Sequence, residues 1–352
     1  MPHRAAPRFV LLLVLVTAAV AAHAFRADTV PDSLSDRDFW ALSRQLSEPD
    51  GHFVSRSGSP DNLLSNELQV SSVAAALAGR VHPAGVYLGV GPEQNFSYIA
   101  ATRPRIAFIT DIRRGNLDLH LLYKAIFELS ADRSAFVARL FSRRMPPVEP
   151  AASAGRLMQA CLDAPPLDDA AFEVNLHAVV DGLARGHGFD LGPDDLRNLE
   201  AAYRAFHRFG PAIDYTSSIG GSPGRFNSYA AIAASVDRLT GHERSFLATD
   251  AGFAAVKAME RRNLIVPVVG DFAGPKALRA IAAWLRAHDA TVSAFYVSNV
   301  EQYLQQNGVW PAFCANAAAL PVDAASVFIR PGRGGVPFSP IAAETTRCAA
   351  TR

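Results

Sequence analysis

"GVYLGVGPEQN", residues 85–95, is the stretch of this 352-residue sequence that indicates the fold class most clearly. The apolar start of the stretch runs into Gly89-Val90-Gly91, and Pro92 follows at a position typical of the first turn of a helix. Glycines at such a turn let the backbone bend sharply and approach a ligand closely. The pattern predicts a strand, a turn and a helix, the unit that places ligands at the carboxyl ends of parallel strands.

Other apolar runs predict the rest of the sheet, with helical patterns between them. They lie at 105–112, 244–249, 263–272, 290–299 and 325–332. Continuous apolar strands that alternate with helices are typical of a parallel sheet covered on both faces. We therefore predict an α/β, Rossmann-like, mostly parallel sheet with helices on both faces and a helical insertion.

The domain organisation follows from where this alternation begins and breaks. A basic start, an apolar run and Ala22-His23-Ala24 predict a signal peptide at residues 1–24, or a membrane anchor if the segment is not cleaved. Residues 25–83 are predicted to be an N-terminal helical segment. Residues 84–331 are predicted to form the α/β domain, with residues 131–215 as its helical insertion, and residues 332–352 are expected to be a flexible C-terminal tail. The chain is expected to be exported, to the periplasm or the medium, and to meet a membrane only through an uncleaved N-terminal segment.

Composition and cysteine content narrow the function classes. The formal net charge of +1 and the absence of a basic stripe argue against a nucleic-acid partner. Cys161, Cys314 and Cys348 form no CxxC pair, and the histidines lack metal-ligand spacing, so no metal site is predicted. Two readings of the cysteines stay open: a Cys314–Cys348 disulfide, or three buried free thiols.

Polar residues gather where the predicted strands end, the edge at which open parallel sheets bind ligands. Asp111 ends the second predicted strand, twenty residues after Gly91, where a carboxylate can bind ribose hydroxyls. Asp111 can equally pair with Arg113 or Arg114. Glu93, in the first helical turn, disfavours a pyrophosphate cofactor but not one without phosphates. These residues predict a small-molecule ligand.

Two further candidate site residues lie in parts of the chain beyond the first two predicted strands. Asp271 follows the predicted fourth strand, where it can either cap the next helix or face the cleft. Tyr215 lies in a long Gly/Ser-rich segment that is either a cover for the cleft or a spacer. No Ser-His-Asp order stands out in the sequence.

Several long motifs together resemble a poorly characterised bacterial protein family whose fold is similar to that of class I S-adenosylmethionine-dependent methyltransferases. The resemblance covers about residues 35–331, and it is carried by "GVYLGVGPEQNFSYI", "FITDIRRGNL", "YTSSIGG", "NLIVPVVGDFAGPKALR" and "FYVSNVEQYL". It departs from the methyltransferase pattern at Tyr87, where an acidic residue is usual, and at Glu93, where a third glycine is usual.

The resemblance implies adenosylmethionine as cofactor and assigns roles to particular residues. It places Gly89, Gly91 and Asp111 at the cofactor, and we expect Glu93, Asn95 and Arg113, which lie close to them in the sequence, to complete the set around it. Asp271, as the residue after the fourth strand, and Tyr215 are expected at the reacting group. The implied activity is methyl transfer. The alternative is an exported, non-catalytic module on the same fold, which recognises a small polar ligand or a partner in the cell envelope.

Overall fold

The computed structural model of the protein describes residues 28–52, 62–65, 67, 69–218, 224, 226–330 and 337–350. The predicted N-terminal signal or anchor, residues 1–24, lies outside this part of the chain. Within the described residues, no helix combines the length and the apolar character that crossing a membrane requires.

A single six-stranded sheet organises the molecule, in the order β3-β2-β1-β4-β5-β6. The first five strands of this order are parallel, and β6 pairs antiparallel with β5. The predicted Rossmann-like α/β fold is therefore confirmed. The strands are β1 (Val86–Gly89), β2 (Ile106–Asp111), β3 (Ile265–Val269), β4 (Val292–Tyr296), β5 (Val322–Ile329) and β6 (Phe338–Pro340).

Helices cover the sheet because its inner strands are apolar on both faces. Every residue of β1 to β4 is buried, so neither face of this part of the sheet meets water. The α-helices of the described residues are α1 (Asp36–Leu46), α2 (Val70–Ala78), α3 (Gln94–Thr102), α4 (Arg114–Leu129), α5 (Arg133–Leu140), α6 (Ala154–Asp163), α7 (Asp169–Asp181), α8 (Pro193–Phe209), α9 (Tyr215–Ser218), α10 (Tyr229–Ala233), α11 (Asp250–Arg261), α12 (Ala277–Ala287), α13 (Val300–Gln306), α14 (Trp310–Ala318) and α15 (Ile341–Ala350).

The segment after α1 protects the open edge of the sheet at β3. Ser35 caps α1 through its side chain, as its position before the apolar pattern predicts. Beyond α1, Ser47 and Glu48 exchange hydrogen bonds with the backbone of Val269 in β3. An edge strand otherwise presents unpaired backbone groups, so this contact closes the edge. We refer to residues 47–52 as the edge segment.

The chain between β2 and β3 is helical, and one predicted strand there is wrong. Residues 244–249 form no strand, and two of their backbone N–H groups are bound by side chains. Arg244 N donates to Ser71 Oγ and Phe246 N donates to Ser97 Oγ, while Phe246 itself is buried in the core. An apolar composition alone did not distinguish a buried loop from a buried strand.

This error shifts the strand numbering by one and changes the place of Asp271. The strand before Asp271 is β3, at the edge of the sheet, and not the fourth strand. The residues that follow the true fourth strand are Ser298 and Asn299, since β4 ends at Tyr296. The predicted role of Asp271 as a post-fourth-strand residue is therefore wrong, although its position at the carboxyl edge is unchanged.

The predicted flexible tail, residues 332–352, is also wrong for its described part. Residues 338–340 form β6, and Ile341, the first residue of α15, is fully buried. A disulfide joins Cys314 of α14 to Cys348 of α15, and Cys161 is a buried free thiol. The sequence of this segment contains several Gly and Pro residues and did not predict β6 or α15. The disulfide that holds α15 in place joins residues 34 positions apart, so no local pattern signals it.

Candidate functional site

A cavity of about 490 Å³ opens at the carboxyl ends of β1 to β4. Strand ends and the loops after them supply most of its wall, and α13 supplies one side. The wall includes Ser65, Val90, Gly91, Gln94, Thr110, Asp111, Arg113, Tyr215, Gly270, Asp271, Phe272, Tyr296, Ser298, Asn299 and Tyr303. The chain therefore has a pocket at the edge where the sequence predicted one.

The two glycines of the first turn do different things. Gly91 lines the cavity and has φ +75°, a backbone conformation that favours glycine. Gly89 does not belong to the wall, and a Cβ atom there would meet Asn95 Oδ1 at 2.1 Å. Gly91 is thus positioned for a ligand, whereas Gly89 is required by packing.

Asn95 and Glu93 stabilise this turn from the side that faces away from the cavity. The amide Nδ2 of Asn95 donates to the carbonyls of Val90, Gly91 and Pro92, and its Oδ1 accepts from Tyr87 Oη at 2.8 Å. The Glu93 carboxyl accepts the backbone N–H of Ser65. Both are buried outside the cavity wall, so among the described residues their contacts are structural.

Asp111 reaches the cavity already paired with Arg113. Nε of Arg113 donates to Oδ1 at 2.8 Å, Nη2 donates to Oδ2 at 2.9 Å, and the backbone N–H of Arg113 also donates to Oδ1. Burial raises the pKa of Asp111, but the Arg113 guanidinium outweighs it, so the pKa lies below its usual value. The structure therefore shows the pairing alternative, with both residues still lining the cavity.

Asp271 and Tyr215 both lie in the wall, on different elements. Asp271 follows β3, and its Oδ1 accepts the backbone N–H of Ala273, so it closes a local turn and does not cap α12. Tyr215 begins α9, and its ring meets that of Phe226 edge-on. The structure thus brings both predicted residues to the same cavity as Gly91, Asp111 and Arg113.

Carboxyl groups of the protein accept hydrogen bonds from the N-termini of the two helices that follow β2 and β3. Glu48 accepts the backbone N–H groups of Lys276 and Ala277 at the start of α12. Asp50 accepts the N–H of Arg114 at the start of α4, whereas the Glu93 carboxyl accepts the N–H of Ser65 and makes no capping bond to α3. Helix N-termini are the usual phosphate sites of such folds. Here the chain's own acidic residues take those sites.

Buried polar atoms without a partner face this region. Thr110 Oγ1 and Gln94 Oε1 are unpartnered in the structure as described, and both residues line the cavity while being almost fully buried. Unsatisfied buried polar groups are rare in folded proteins and are costly unless a ligand or water completes them. Sequence reasoning missed both, although Thr110 stands next to Asp111 at the strand end.

Glu67 is the other residue that sequence reasoning missed. Its Oε1 accepts from Tyr296 Oη at 2.6 Å and from Ser298 Oγ at 3.1 Å, and both partners line the cavity. Nothing in the local pattern of the N-terminal segment signals this contact. Groups of histidine, cysteine and acidic side chains suited to a metal ion do not occur among the described residues.

Comparison with protein families gives one match of more than half the chain. The family is described as "Domain of unknown function (DUF7790)", and it matches residues 63–147 and 227–346. The matched residues include β1 to β6 and most of the cavity wall, while α6 to α9 lie outside the match. A search of curated proteins found no match.

Proposed function

The chain belongs to this family of unknown function, and we propose that its cavity binds S-adenosylmethionine or a related nucleoside without phosphate groups. The protein would then be methyltransferase-like. What supports the proposal is the combination of a ligand-sized cavity at the strand ends with two helix N-termini, those of α4 and α12, that already hold carboxyl groups. A phosphate at either of these N-termini would meet a carboxyl group instead of free N–H donors.

The residues present fit such a ligand in three respects. Gly91 leaves an open approach to the backbone, since a Cβ atom added there would meet only Gln94 Nε2, at 3.6 Å. Thr110 and Gln94 offer buried polar atoms that have no partner among the described residues. Asp111 Oδ2, which accepts from Arg113 Nη2, has a second lone-pair direction for a ribose hydroxyl.

The role proposed for each residue follows from its position in the cavity wall. The turn at Gly91 would lie beneath the methionine portion, and Asp111, oriented by Arg113, would bind the ribose. Asp271 and Tyr215 would place the methyl acceptor, since both line the same cavity. The cofactor supplies the methyl group by in-line displacement, and the protein contributes chiefly position and orientation.

Isothermal titration of the purified chain from residue 25 onward with adenosylmethionine tests the proposal. We expect saturable binding, weakened about tenfold or more in Asp111→Ala because a charged hydrogen-bond acceptor is lost. Asp163→Ala, an exposed aspartate on α6, is the matched control and should bind like wild type. No saturable heat, or equal affinity of Asp111→Ala and wild type, would overturn the proposal.

The alternative, an exported non-catalytic binding module, rests on a different observation. Cys314 and Cys348 form a disulfide, and disulfides persist mainly in oxidising compartments. The basic and apolar N-terminal sequence is consistent with export. Fractionation of source cells, with N-terminal sequencing of the recovered chain, tests this alternative. A chain starting near residue 25 outside the cytoplasm favours it, and an intact chain confined to the cytoplasm removes its support.

A further inference from the structure

The Glu67 carboxyl lies behind the cavity wall at the ends of β1 and β4. Its Oε1 is fixed by Tyr296 Oη at 2.6 Å and by Ser298 Oγ at 3.1 Å. Ser298 holds this position with φ +49°, an uncommon conformation for a residue other than glycine. Strain of this kind persists where the surrounding structure requires it, often at functional sites. Glu67 is thus tied to two side chains of the wall.

The other oxygen of this carboxyl has no partner among the described residues. Glu67 Oε2 is buried and accepts no hydrogen bond from the described residues. No lysine, arginine or histidine among them is paired with Glu67 or with Glu93 nearby. A buried carboxyl without a cation is costly when ionised, and burial accordingly raises the pKa of Glu67 to about 7.

A second, independent observation lies after the end of β1, in the wall of the same cavity. Gln94 is almost fully buried and lines the cavity, and its Nε2 donates to the carbonyl of Val90 at 3.0 Å. That bond fixes the orientation of the amide, so the atom left without a partner, Oε1, is an acceptor. The wall here offers an acceptor, with the Glu67 carboxyl behind it, whereas the guanidinium of Arg113 is paired with Asp111.

We propose that Glu67 is the counter-ion for a positively charged group of the ligand, which makes the β1–β4 end of the cavity a cation subsite. The proposal deepens the proposed function and rests on it. A cationic ligand such as adenosylmethionine would supply the positive charge that no described side chain provides to Glu67.

Other titratable groups face Glu67, and they must be separated from it in any test. Tyr87, Tyr98 and Tyr296 are buried, and burial keeps their pKa values well above the usual range, so they stay protonated. Glu93 is also buried, with its pKa raised to about 8. Ionisation linked to a bound cation therefore belongs either to Glu67 or to Glu93, and one variant of each decides between them.

The test is titration calorimetry with adenosylmethionine at pH 7 in two buffers of different ionisation enthalpy, which counts the protons released on binding. A nearby cation favours the ionised carboxyl, so wild type should release about half a proton. Glu67→Gln should release almost none. It should also reduce the preference for cationic adenosylmethionine over uncharged methylthioadenosine by about tenfold.

Two control variants show whether the proton release and the preference for the cationic ligand depend on Glu67. Glu93→Gln tests the neighbouring carboxyl, and Glu260→Gln tests a buried carboxyl of similarly raised pKa that lies outside the cavity wall. Both should still release protons and keep the preference. If Glu67→Gln does not fold, Tyr296→Phe serves instead. It removes a bond that lowers the pKa of Glu67, so the pH at which affinity rises should move upward.

The outcomes separate the two proposals. Binding of adenosylmethionine with unchanged proton release in Glu67→Gln, or with release lost only in Glu93→Gln, would overturn the cation subsite and leave the proposed function standing. Failure of wild type to bind either nucleoside would instead overturn the proposed function.

Discussion

Gly89 and Gly91 stand two residues apart, yet only one of them faces the cavity. Gly91 has a positive φ and lines the wall. Gly89 ends β1, and its missing side chain makes room for Asn95, whose amide holds the turn together. The G-x-G spacing of the sequence is thus produced by two separate requirements, and only one of them concerns a ligand.

Gly89→Ala should therefore lower stability through packing. The added methyl group would meet Asn95 Oδ1 at 2.1 Å and Tyr87 at 2.8 Å, so both side chains must move. We expect a loss of about 1–3 kcal/mol in the free energy of unfolding, measured by urea denaturation. Gly79→Ala is the control, because nothing lies within 4 Å of the Cβ atom that alanine would add there. Equal stability of Gly89→Ala and wild type would contradict this account of the turn.

Because Glu93 is buried, the free energy of unfolding should fall as the pH rises. Burial raises its pKa in the folded protein from the usual value of 4.5 to about 8. Between these values the folded state keeps a proton that the unfolded state has lost, so stability falls as the pH rises through this window. The contribution of Glu93 is fully present below about pH 4.5 and is lost above about pH 8.

Glu93→Gln should flatten this dependence. An amide still accepts the Ser65 N–H but does not titrate. Between about pH 5 and pH 8 the variant should lose less unfolding free energy than wild type, by an amount on the order of 3 kcal/mol. Urea denaturation at the two pH values measures the difference. Glu149→Gln, on an exposed residue, should behave like wild type. A variant as pH-sensitive as wild type would show that Glu93 is not a buried titrating group.

At the scale of elements, the edge segment 47–52 does two things at once. It covers β3, the edge strand of the parallel sheet, and its acidic residues reach the starts of α4 and α12. Sequence patterns placed residues 47–52 in the predicted N-terminal helical segment and did not indicate these contacts, because they join residues more than 60 positions apart. Contacts between residues distant in sequence therefore determine whether the starts of α4 and α12 can bind a phosphate.

Glu48→Ala should expose the start of α12. Backbone N–H groups of Asp271, Lys276 and Ala277 lose their acceptor, and we expect a cost of about 1–2 kcal/mol in unfolding free energy. Affinity for a phosphate-bearing ligand such as NAD, measured by titration calorimetry, should rise relative to wild type. Asp168→Ala removes the cap of α7, remote from the cavity, and should cost stability without changing that affinity. No gain in Glu48→Ala would contradict the role given to the edge segment.

The elements that sequence reasoning predicted well are those whose pattern is local. Strands β1 and β2 and the capped start of α1 follow from apolar runs and from Ser35. The segment 244–249 and the C-terminal β6 and α15 did not follow, because side-chain hydrogen bonds and a disulfide decide their structure. The Asp111–Arg113 pair was foreseen as one of two alternatives, whereas Glu67 depends on how the N-terminal segment packs against β4.

At the scale of the whole molecule, the parallel sheet brings strand ends far apart in sequence to one cavity. Gly91, Asp111, Asp271 and Ser298 lie at the ends of four strands and line the same space. The family match covers these strands and leaves out α6 to α9, which lie within the long helical stretch between β2 and β3. The features on which the proposed function depends therefore lie mainly in the part of the chain that the family shares.

The central claim is that this cavity accepts a nucleoside and rejects its phosphorylated relatives. The most direct measurement is calorimetric titration of wild type with adenosine and with adenosine 5′-monophosphate under the same ionic strength. We predict that adenosine binds and that the added phosphate weakens binding by about tenfold or more, because carboxyl groups hold the nearby helix N-termini. Equal or tighter binding of the monophosphate would contradict the account.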